Sequence, residues 1–582
     1  MSRISKEEVS ELLEDIAVLL ELKGENPFKT RAYTNGARAL QSLDGDLEEM
    51  VSDGTLKDVK GIGDALCRKI TELVETGSLK FYEDLKASVE PGLVAMLDIP
   101  GLGPKKILSV HEKLGVTDID GLEKACREGK VEKLPGFGKK SQDKILQGIE
   151  FRRQHGTHIR LDEATEWAEE IHDALRDHPE VIRCAVAGSF RRSKEIIGDL
   201  DFLVSTNDPP AVIHYFSSLD GVSEILLQGE TKVSVRLRQG TQADLRIIRD
   251  EEFPFALHYF TGSKEHNIAM RQRAIQKGLR LNEYGLFRSK SETRDLDLRV
   301  PCRTEEDIFN ELGLSYIPPE MREDMGEFKL AEKDAIPRLV EWTQLKGSLH
   351  NHTNWSDGKN TLEQTARYMI DLGLEYWAIT DHSKSSFQAN GLDEKRLEEQ
   401  VEAIRALNGK LEGEGETFRL LTGTEVDILS GGKLDFDDDI LAELDIVVAS
   451  IHNGFSQKRD VMTARIIKAV ENPNVHILGH PTGRLLLQRD PYELDINKVI
   501  DACAANGTWI ELNASPYRLD LDWRHWSRAA EKGVLCAINP DAHRNEHAGF
   551  LKLATGVARK AGLTADQVIN TRPLNALLPL IK

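Results

Sequence analysis

The sequence predicts a multidomain chain with three architectures in succession: an all-α N-terminal region, an α+β domain, and a C-terminal domain whose strands and helices alternate as in a parallel sheet or barrel. Three observations lead there. From Val9 to Leu20 the residues Val9, Leu12, Leu13, Ile16, Leu19 and Leu20 fall on one helical face, and helical texture continues to about Gln154. From about Ile182 the texture turns to short β-branched runs at Cys184 to Ala187, Asp201 to Val204, Val233 to Leu237 and Leu245 to Ile248. After Lys346, apolar strands alternate with helical segments at Tyr376 to Thr380, Arg419 to Thr422, Asp445 to Ala449, Val475 to Leu478, Thr508 to Leu512 and Val534 to Ile538.

A chain of 582 residues exceeds what one hydrophobic core organises. With 40% apolar and 30% charged residues it reads as globular, and no apolar run approaches the roughly 20 residues of a membrane span. The first residues lead straight into an amphipathic helix without a secretion signal, so a cytoplasmic location is expected, with no membrane partner. The six cysteines (Cys67, Cys126, Cys184, Cys302, Cys503, Cys536) lack zinc or redox spacing and are read as reduced, mostly buried thiols. A formal charge of -21 argues against a uniformly basic, DNA-coating surface. It leaves room for local basic sites, because solvated helices such as Leu392 to Gly415 and metal-holding carboxylates account for an acidic excess.

In the helical region one unit occurs three times: Gly61-Ile-Gly63, Gly101-Leu-Gly103-Pro-Lys105-Lys106 and Gly136-Phe-Gly138-Lys139-Lys140. A Gly-x-Gly turn brings backbone amides and the following helix N-terminus to a phosphate, and the lysines add charge at the same place. A single copy is as well read as an ordinary turn; the repeat is the stronger signal. The units resemble helix-hairpin-helix motifs, which implies a grip on the DNA backbone that reads no sequence.

The α+β domain carries Ala187-Gly188-Ser189-Phe-Arg-Arg192 followed by Asp199-Leu-Asp201. A strand ending in Gly188-Ser189 can approach a triphosphate, and Arg192 offers a planar cation to its oxygens. Asp199 and Asp201, two apart on a strand, share a face, and Asp244 in the neighbouring pattern Ala243-Asp-Leu-Arg-Ile-Ile completes a carboxylate trio. Such a trio suits two Mg²⁺ or Mn²⁺ ions about 4 Å apart, one activating a primer 3′-hydroxyl and one neutralising the triphosphate. These residues resemble the palm of the family X nucleotidyltransferases, the family of DNA polymerase beta. The resemblance continues through Tyr259-Phe260-Thr-Gly262-Ser263 to Asn267 and Arg271. It implies that Tyr259, Phe260 and Gly262 pack on the nucleotide sugar, Asn267 meets the incoming base and Arg271 the template. Gln242 departs from the family pattern, where a basic residue precedes the third aspartate. Around Gly61-Ile-Gly63 the chain also resembles the small domain of DNA polymerase beta, with Lys69 at its Schiff-base lysine. Lys29 matches one residue of that domain's basic pocket, while the other positions read Asn35, Ala65 and Phe81. Lys69 is therefore read either as a helix-face lysine on a DNA phosphate or as a 5′-deoxyribose phosphate lyase.

In the last domain, metal-ligating types sit where apolar strands finish: His350-Asn-His352, Asp357 on a loop, Asp-His382, Glu425, His452, His480 and Asp541-Ala-His543. Function at strand C-termini is what a β/α barrel provides. Mixed imidazole and carboxylate ligands suit Mn²⁺, Zn²⁺ or Fe²⁺. The ordered set resembles the PHP (polymerase and histidinol phosphatase) family, which implies a distorted seven-strand barrel holding up to three ions with these nine ligands. Pro540 departs from the family, where a small polar residue is frequent.

The resemblances together imply six segments: a lyase-like helical domain 1–85, a fingers-like domain 86–158, a palm 159–257, a thumb 258–316, a linker 317–342 and a PHP phosphoesterase domain 343–582. They imply a monomeric DNA polymerase of gapped or nicked DNA and deoxynucleoside triphosphates that fills short gaps in repair. They also imply a 3′→5′ exonuclease in cis, with 3′-phosphatase or abasic-site endonuclease activity as further expectations. The competing readings are a template-independent nucleotidyltransferase coupled to a small-molecule phosphatase, and a DNA-end scaffold. The repeated Gly-x-Gly units argue against the first, and the complete ligand sets against the second.

Overall fold

The computed structural model describes residues 6–41, 47–76, 78–99, 102–155, 158–288 and 298–581. Two compact units emerge, Met1–Gly156 and Thr157–Lys582.

The first unit is helical. The apolar stripe of helix Lys6–Leu22 puts Val9, Leu13, Ile16, Leu19 and Leu20 into a core shared with Ala37, Ile70, Leu73, Ile107 and Val110, and Leu12 packs at its edge. Helix Pro104–Leu114 begins with Pro104 at its first position, where a missing N–H costs nothing, and ends at Gly115 in the left-handed conformation.

The second unit opens with a five-stranded sheet: β1 (Val181–Val186), β2 (Asp199–Thr206), β3 (Val222–Gln228), β4 (Lys232–Leu237) and β5 (Gln242–Ile248). The strand order is β1-β2-β5-β4-β3. β2 and β5 run parallel and the other pairs antiparallel. Along β2, Leu200, Phe202 and Val204 enter the core beneath helix Leu161–Arg176. Leu203 points the other way, onto Phe253 and Ala256, so Asp199 and Asp201 share that second face. β3 was not among the expected strands. It is an edge strand with Ile225 and Leu227 exposed, so no buried alternation marks it.

Helices Phe253–Thr261, Lys264–Gln276 and Glu305–Glu311 enclose a separate core of Phe255, Met270, Ala274, Ile308, Phe309 and Leu312. The stretch 317–342, expected as a linker, is no free tether. Ile317 and Ala331 belong to this core. Arg322, fully buried, donates to the Ile317 carbonyl at 2.9 Å and pairs with Glu305. A buried ion pair between distant positions leaves no periodic trace, and the Pro318-Pro319 break hid it.

Seven parallel strands then form in strict chain order: β6 (Gly347–Ser348), β7 (Tyr376–Ile379), β8 (Arg419–Asp427), β9 (Ile446–Ser450), β10 (Ile477–Leu478), β11 (Trp509–Asn513) and β12 (Cys536–Asn539). Just beyond the first and last strands, Asn351 and Ala542 form a parallel bridge and His352 N–H donates to the Ala542 carbonyl at 2.8 Å, bringing the ends of the sheet together as a barrel. β6, two residues long, is too short for an apolar run to reveal. All six cysteines are free thiols, with Cys67 and Cys184 half-buried and the rest buried.

Candidate active and metal sites

In the first unit the Gly-x-Gly turns behave as loop-to-helix entries. Gly61 and Gly136 have φ of 105° and 83°, a region other residues rarely adopt. Gly63, Gly103 and Gly138 immediately precede helices, and a side chain at any of the three would meet open space. Lys139 and Lys140 are exposed; Lys105 faces Glu21 at 3.7 Å, and Lys106 lies over the Phe137 ring. Gly101 lies outside the described residues. The Lys69 ammonium sits 4.3 Å from the centre of the Phe81 ring, on which Tyr33 stacks and which Lys29 approaches at 5.9 Å.

The palm sheet brings the three aspartates together. Asp201 and Asp244 are direct neighbours across β2 and β5, and Asp199 precedes Asp201 by two on the same face. Gly188 has φ +63°, and a Cβ there would lie 2.2 Å from Asp201 Oδ2. Only glycine lets the turn come this close to the carboxylate. Gln242 does not leave Asp244 loose: its Nε2 donates to Asp244 Oδ1 at 2.9 Å, and Lys232 on β4 reaches Oδ2 at 2.7 Å. Sequence reasoning missed Lys232, because its partner is one strand away.

The electrostatics follow from this crowding. Burial, then the Asp244 charge, raises the Asp199 pKa. Burial, then Asp199 and Asp244, pushes Asp201 up to about 7. Asp244 goes the opposite way: burial opposes its charge, but hydrogen bonds from Lys232, Ser234 and Gln242 outweigh it. Three carboxylates whose mutual repulsion Lys232 and Arg246 only partly offset form a donor set that fits divalent cations.

The remaining residues of this region converge from separate segments. Ser189 Oγ is buried without a hydrogen-bond partner. Arg192 donates to the Thr261 carbonyl and, at 3.0 Å, to Glu323 Oε1. A Cβ on Gly262 (φ +71°) would lie 3.0 Å from the Arg192 guanidinium, so the two motifs meet here. Tyr259 and Phe260 pack edge to face, Asn267 Nδ2 donates to the Tyr259 carbonyl at 2.7 Å, and Arg271 is exposed. Arg246, Phe260 and Tyr284 line an open cleft of about 600 Å³ that extends to Thr206 and Ile248, at the strand ends away from the aspartates.

In the barrel all nine expected ligands converge. Glu425, 1% exposed, lies at the centre: its oxygens stand 2.8 Å from His382 Nδ1, 3.0 Å from His480, 3.2 Å from His452, 3.4 Å from His350 and 3.7 Å from His352. Asp541 lies 3.0 Å from His352 and 3.7 Å from His350. Asp357 lies 3.4 Å from His543 and 3.7 Å from His382. Three groups have ligand atoms within 4.8 Å of one another: His352, Asp357, His382 and His543; His350, His352 and Asp541; and His382, Glu425 and His452. The backbone bends sharply to present two of the nine, with φ +23° at His480 and +53° at Asp541, the residue after Pro540.

These groups fit bound cations. His350 Nε2, His352 Nδ1 and His480 Nδ1 are buried without hydrogen bonds, an arrangement costly unless something occupies their lone pairs. Burial opposes ionisation of Glu425, yet His452, His350 and His382 hold it well below the usual carboxylate range. Burial likewise opposes charge on His452 and His543, but Glu425 and Asp427 lift the first to about 10, and Asp357 and Asp541 lift the second to about 9. The site attracts positive charge.

A supporting layer escaped the sequence reading. Glu511, fully buried on β11, accepts from His350 Nδ1 at 2.7 Å and from the His480 N–H at 2.7 Å. Asp427 meets His452 Nδ1 at 3.1 Å, and Asn513 donates to Asp541 at 3.2 Å. Such contacts fix imidazole orientation. The available signal was a glutamate inside the apolar strand Trp509-Ile-Glu-Leu-Asn.

Comparison with known families matches residues 5–79 to a helix-hairpin-helix domain, 93–150 to a SAM-like helix-hairpin-helix tandem, 256–323 to a DNA polymerase beta thumb and 348–515 to a PHP domain. The DNA polymerase/3'-5' exonuclease PolX of Bacillus subtilis (strain 168) is 41% identical over 579 residues, 99% of this chain and 99% of that protein. A probable phosphatase of Thermoanaerobacter sp. (strain X514) is 33% identical over 233 residues, 38% of this chain and 89% of its own length. DNA polymerase lambda of Rattus norvegicus is 25% identical over 340 residues, 54% of this chain and 56% of that polymerase. Among the described residues no helix is long and apolar enough to cross a membrane. A palm-and-thumb unit joined to a PHP barrel, with identity running end to end, places the chain in the bacterial PolX family, the family X DNA polymerases that carry a C-terminal PHP domain.

Proposed function

We propose that this chain fills gaps in DNA from its palm and trims 3′ ends in its barrel, as two metal-dependent activities in separate sites. One observation carries the reading: a carboxylate trio abutting Gly188 and a cluster of nine converging His, Asp and Glu side chains occur in one chain, on different folds. In the palm, Asp199, Asp201 and Asp244 would hold two Mg²⁺ or Mn²⁺ ions, which would supply Lewis acidity for nucleotidyl transfer to a primer 3′-hydroxyl. Lys232 keeps Asp244 ionised for that task. Gly188 and Ser189 approach the triphosphate and Arg192 faces its oxygens. Tyr259, Phe260 and Gly262 bound the sugar, Asn267 the base and Arg271 the template strand.

In the barrel, His350, His352, Asp357, His382, Glu425, His452, His480, Asp541 and His543 would hold up to three Mn²⁺, Zn²⁺ or Fe²⁺ ions, which would supply Lewis acidity for phosphoester hydrolysis. Glu511 and Asp427 orient His350 and His452 and accept their charge. With a polymerase on the same chain, a DNA 3′ end is the economical substrate, with a 3′-phosphate or an abasic site as further substrates. The turns at Gly61, Gly63, Gly101, Gly103, Gly136 and Gly138, with Lys105, Lys106, Lys139 and Lys140, hold DNA phosphates. The six-segment division from 1–85 to 343–582, a monomeric state and a cytoplasmic location complete the reading, with 317–342 packed against the thumb core rather than free.

The test is a labelled gapped duplex incubated with purified protein and Mn²⁺, with and without nucleotides and template. Templated extension with nucleotides and 3′ shortening without them are expected; template-independent addition rejects the polymerase assignment. We assign Lys69, a helix-borne lysine over the Phe81 ring, to a downstream phosphate. Borohydride treatment on a 5′-incised abasic duplex then traps no adduct, and an adduct lost in Lys69→Ala would make it a lyase instead.

A further inference from the structure

The loop that carries Arg192 toward Asp199 is held at three points by the barrel. At its start, Lys560, last residue of helix Phe550–Lys560 and 3% exposed, donates to the Arg192 carbonyl at 3.1 Å. Next, a Cβ on Gly556 of the same helix would lie 2.9 Å from Ser193 Oγ, so glycine there lets the helix close onto the loop. At its end, Arg484, 7% exposed, bridges Glu195 at 2.7 Å and Asp522 at 2.9 Å.

A second link acts on the Arg192 side chain. Glu323 Oε1 accepts from Arg192 Nε at 3.0 Å and also from the Lys560 ammonium, while Oε2 faces Lys194 at 3.8 Å. Lys560 is further set by the Glu320 carbonyl at 3.4 Å and by the Trp523 ring, 4.6 Å from its nitrogen. One carboxylate is thus shared between the palm's arginine and the barrel's lysine. Left alone with Arg192, Glu323 would neutralise the guanidinium and hold it in place; divided among three cations, it leaves net positive charge at Arg192.

We propose that Lys560 and Arg484, both from the nuclease barrel, are positioning residues for the polymerase: they fix the loop 192–195, and Lys560 shares Glu323 with Arg192, so that the guanidinium stays placed and only partly paired for an incoming triphosphate. This rests on the reading that Arg192 faces the triphosphate. Neither residue is a ligand of the barrel cluster, so the dependence runs from barrel scaffold to palm site.

The experiment uses the full chain. Lys560→Met, Lys560→Arg, Arg484→Lys and Arg192→Ala are compared in single-nucleotide gap filling for KM of the deoxynucleotide and for kcat, and in 3′ trimming of single-stranded DNA. Losing a buried charge-assisted contact predicts a KM raised about tenfold in Lys560→Met, with kcat within about twofold. Trimming is unchanged, and Lys560→Arg recovers most of the KM. Arg484→Lys, which shortens the reach to Glu195, raises the same KM about threefold and serves where Lys560→Met does not fold. A wild-type KM in both barrel variants, with KM raised in Arg192→Ala, overturns the inference and leaves the nucleotide-site reading standing. A parallel fall of extension and trimming also overturns it, since that marks general loosening. An unchanged KM in Arg192→Ala removes the reading itself.

Discussion

The palm trio and the barrel cluster prepare for cations in opposite ways. The trio comes from two adjacent strands and is all oxygen, and burial, then its two carboxylate neighbours, pushes the Asp201 pKa up to about 7 against Arg246 and Lys232. The cluster comes from the ends of most strands of a barrel, mixes nitrogen with oxygen, and matches its carboxylates to imidazoles that are themselves tethered by Glu511 and Asp427. An all-oxygen donor set suits hard ions, and a mixed nitrogen and oxygen set suits borderline ones. The difference teaches that one chain can hold both sites because they are built from different residues on different folds.

The strongest way to break this comparison is Asp201→Ala. It removes the carboxylate between Asp199 and Asp244, and extension is expected to fall roughly 10⁴-fold, with trimming intact in the same preparation. Extension at the wild-type rate would mean the trio is not the polymerase site. His352→Ala comes next: it takes one ligand from two of the three barrel groups, and trimming is expected to fall about 10³-fold while gap filling persists. Survival of trimming in a metal-saturated assay would place the nuclease elsewhere.

A smaller effect separates ligands from the residues behind them. Glu511→Gln keeps the shape but not the charge opposite His350, and barrel metal affinity, read by elemental analysis after dialysis, is expected to drop about 10- to 100-fold. Wild-type metal retention would strip Glu511 of its orienting part. The smallest effect is on stability. In metal-free protein the folded pKa of Asp201, about 7, lies above its ordinary 3.8, so its contribution is fully present below about 3.8 and lost as pH rises through about 7. Chemical unfolding of Asp201→Asn with a chelator should therefore show a flatter decline over that window than the wild type. Identical slopes would show that the trio relieves its repulsion some other way.

How much was legible divides along the same line. That the three aspartates, the Gly188-Ser189 turn and the nine His, Asp and Glu residues of the barrel would lie together could be read because the pattern is local: alternate residues on a strand share a face, and these residue types recur where apolar strands stop. The apolar stripe of the first helix was equally plain, since burial repeats with the helical period. β3 and β6 were missed, one because an edge strand buries nothing, the other because two residues carry no pattern. Lys232, Glu511, Lys560 and Arg322 belong to a further class. Each is an ordinary charged residue in sequence, and its part depends on a partner brought near only by folding: Asp244 on the next strand, His350 across the barrel, Glu323 and Arg192 from the palm side, and Glu305 on a helix. The sequence by itself determined which chemistry each fold holds, because ligand type and spacing are written in the chain. Tertiary structure alone decided which charges those groups work against, because electrostatic energy depends on distance and burial, and neither is a property of position along the chain.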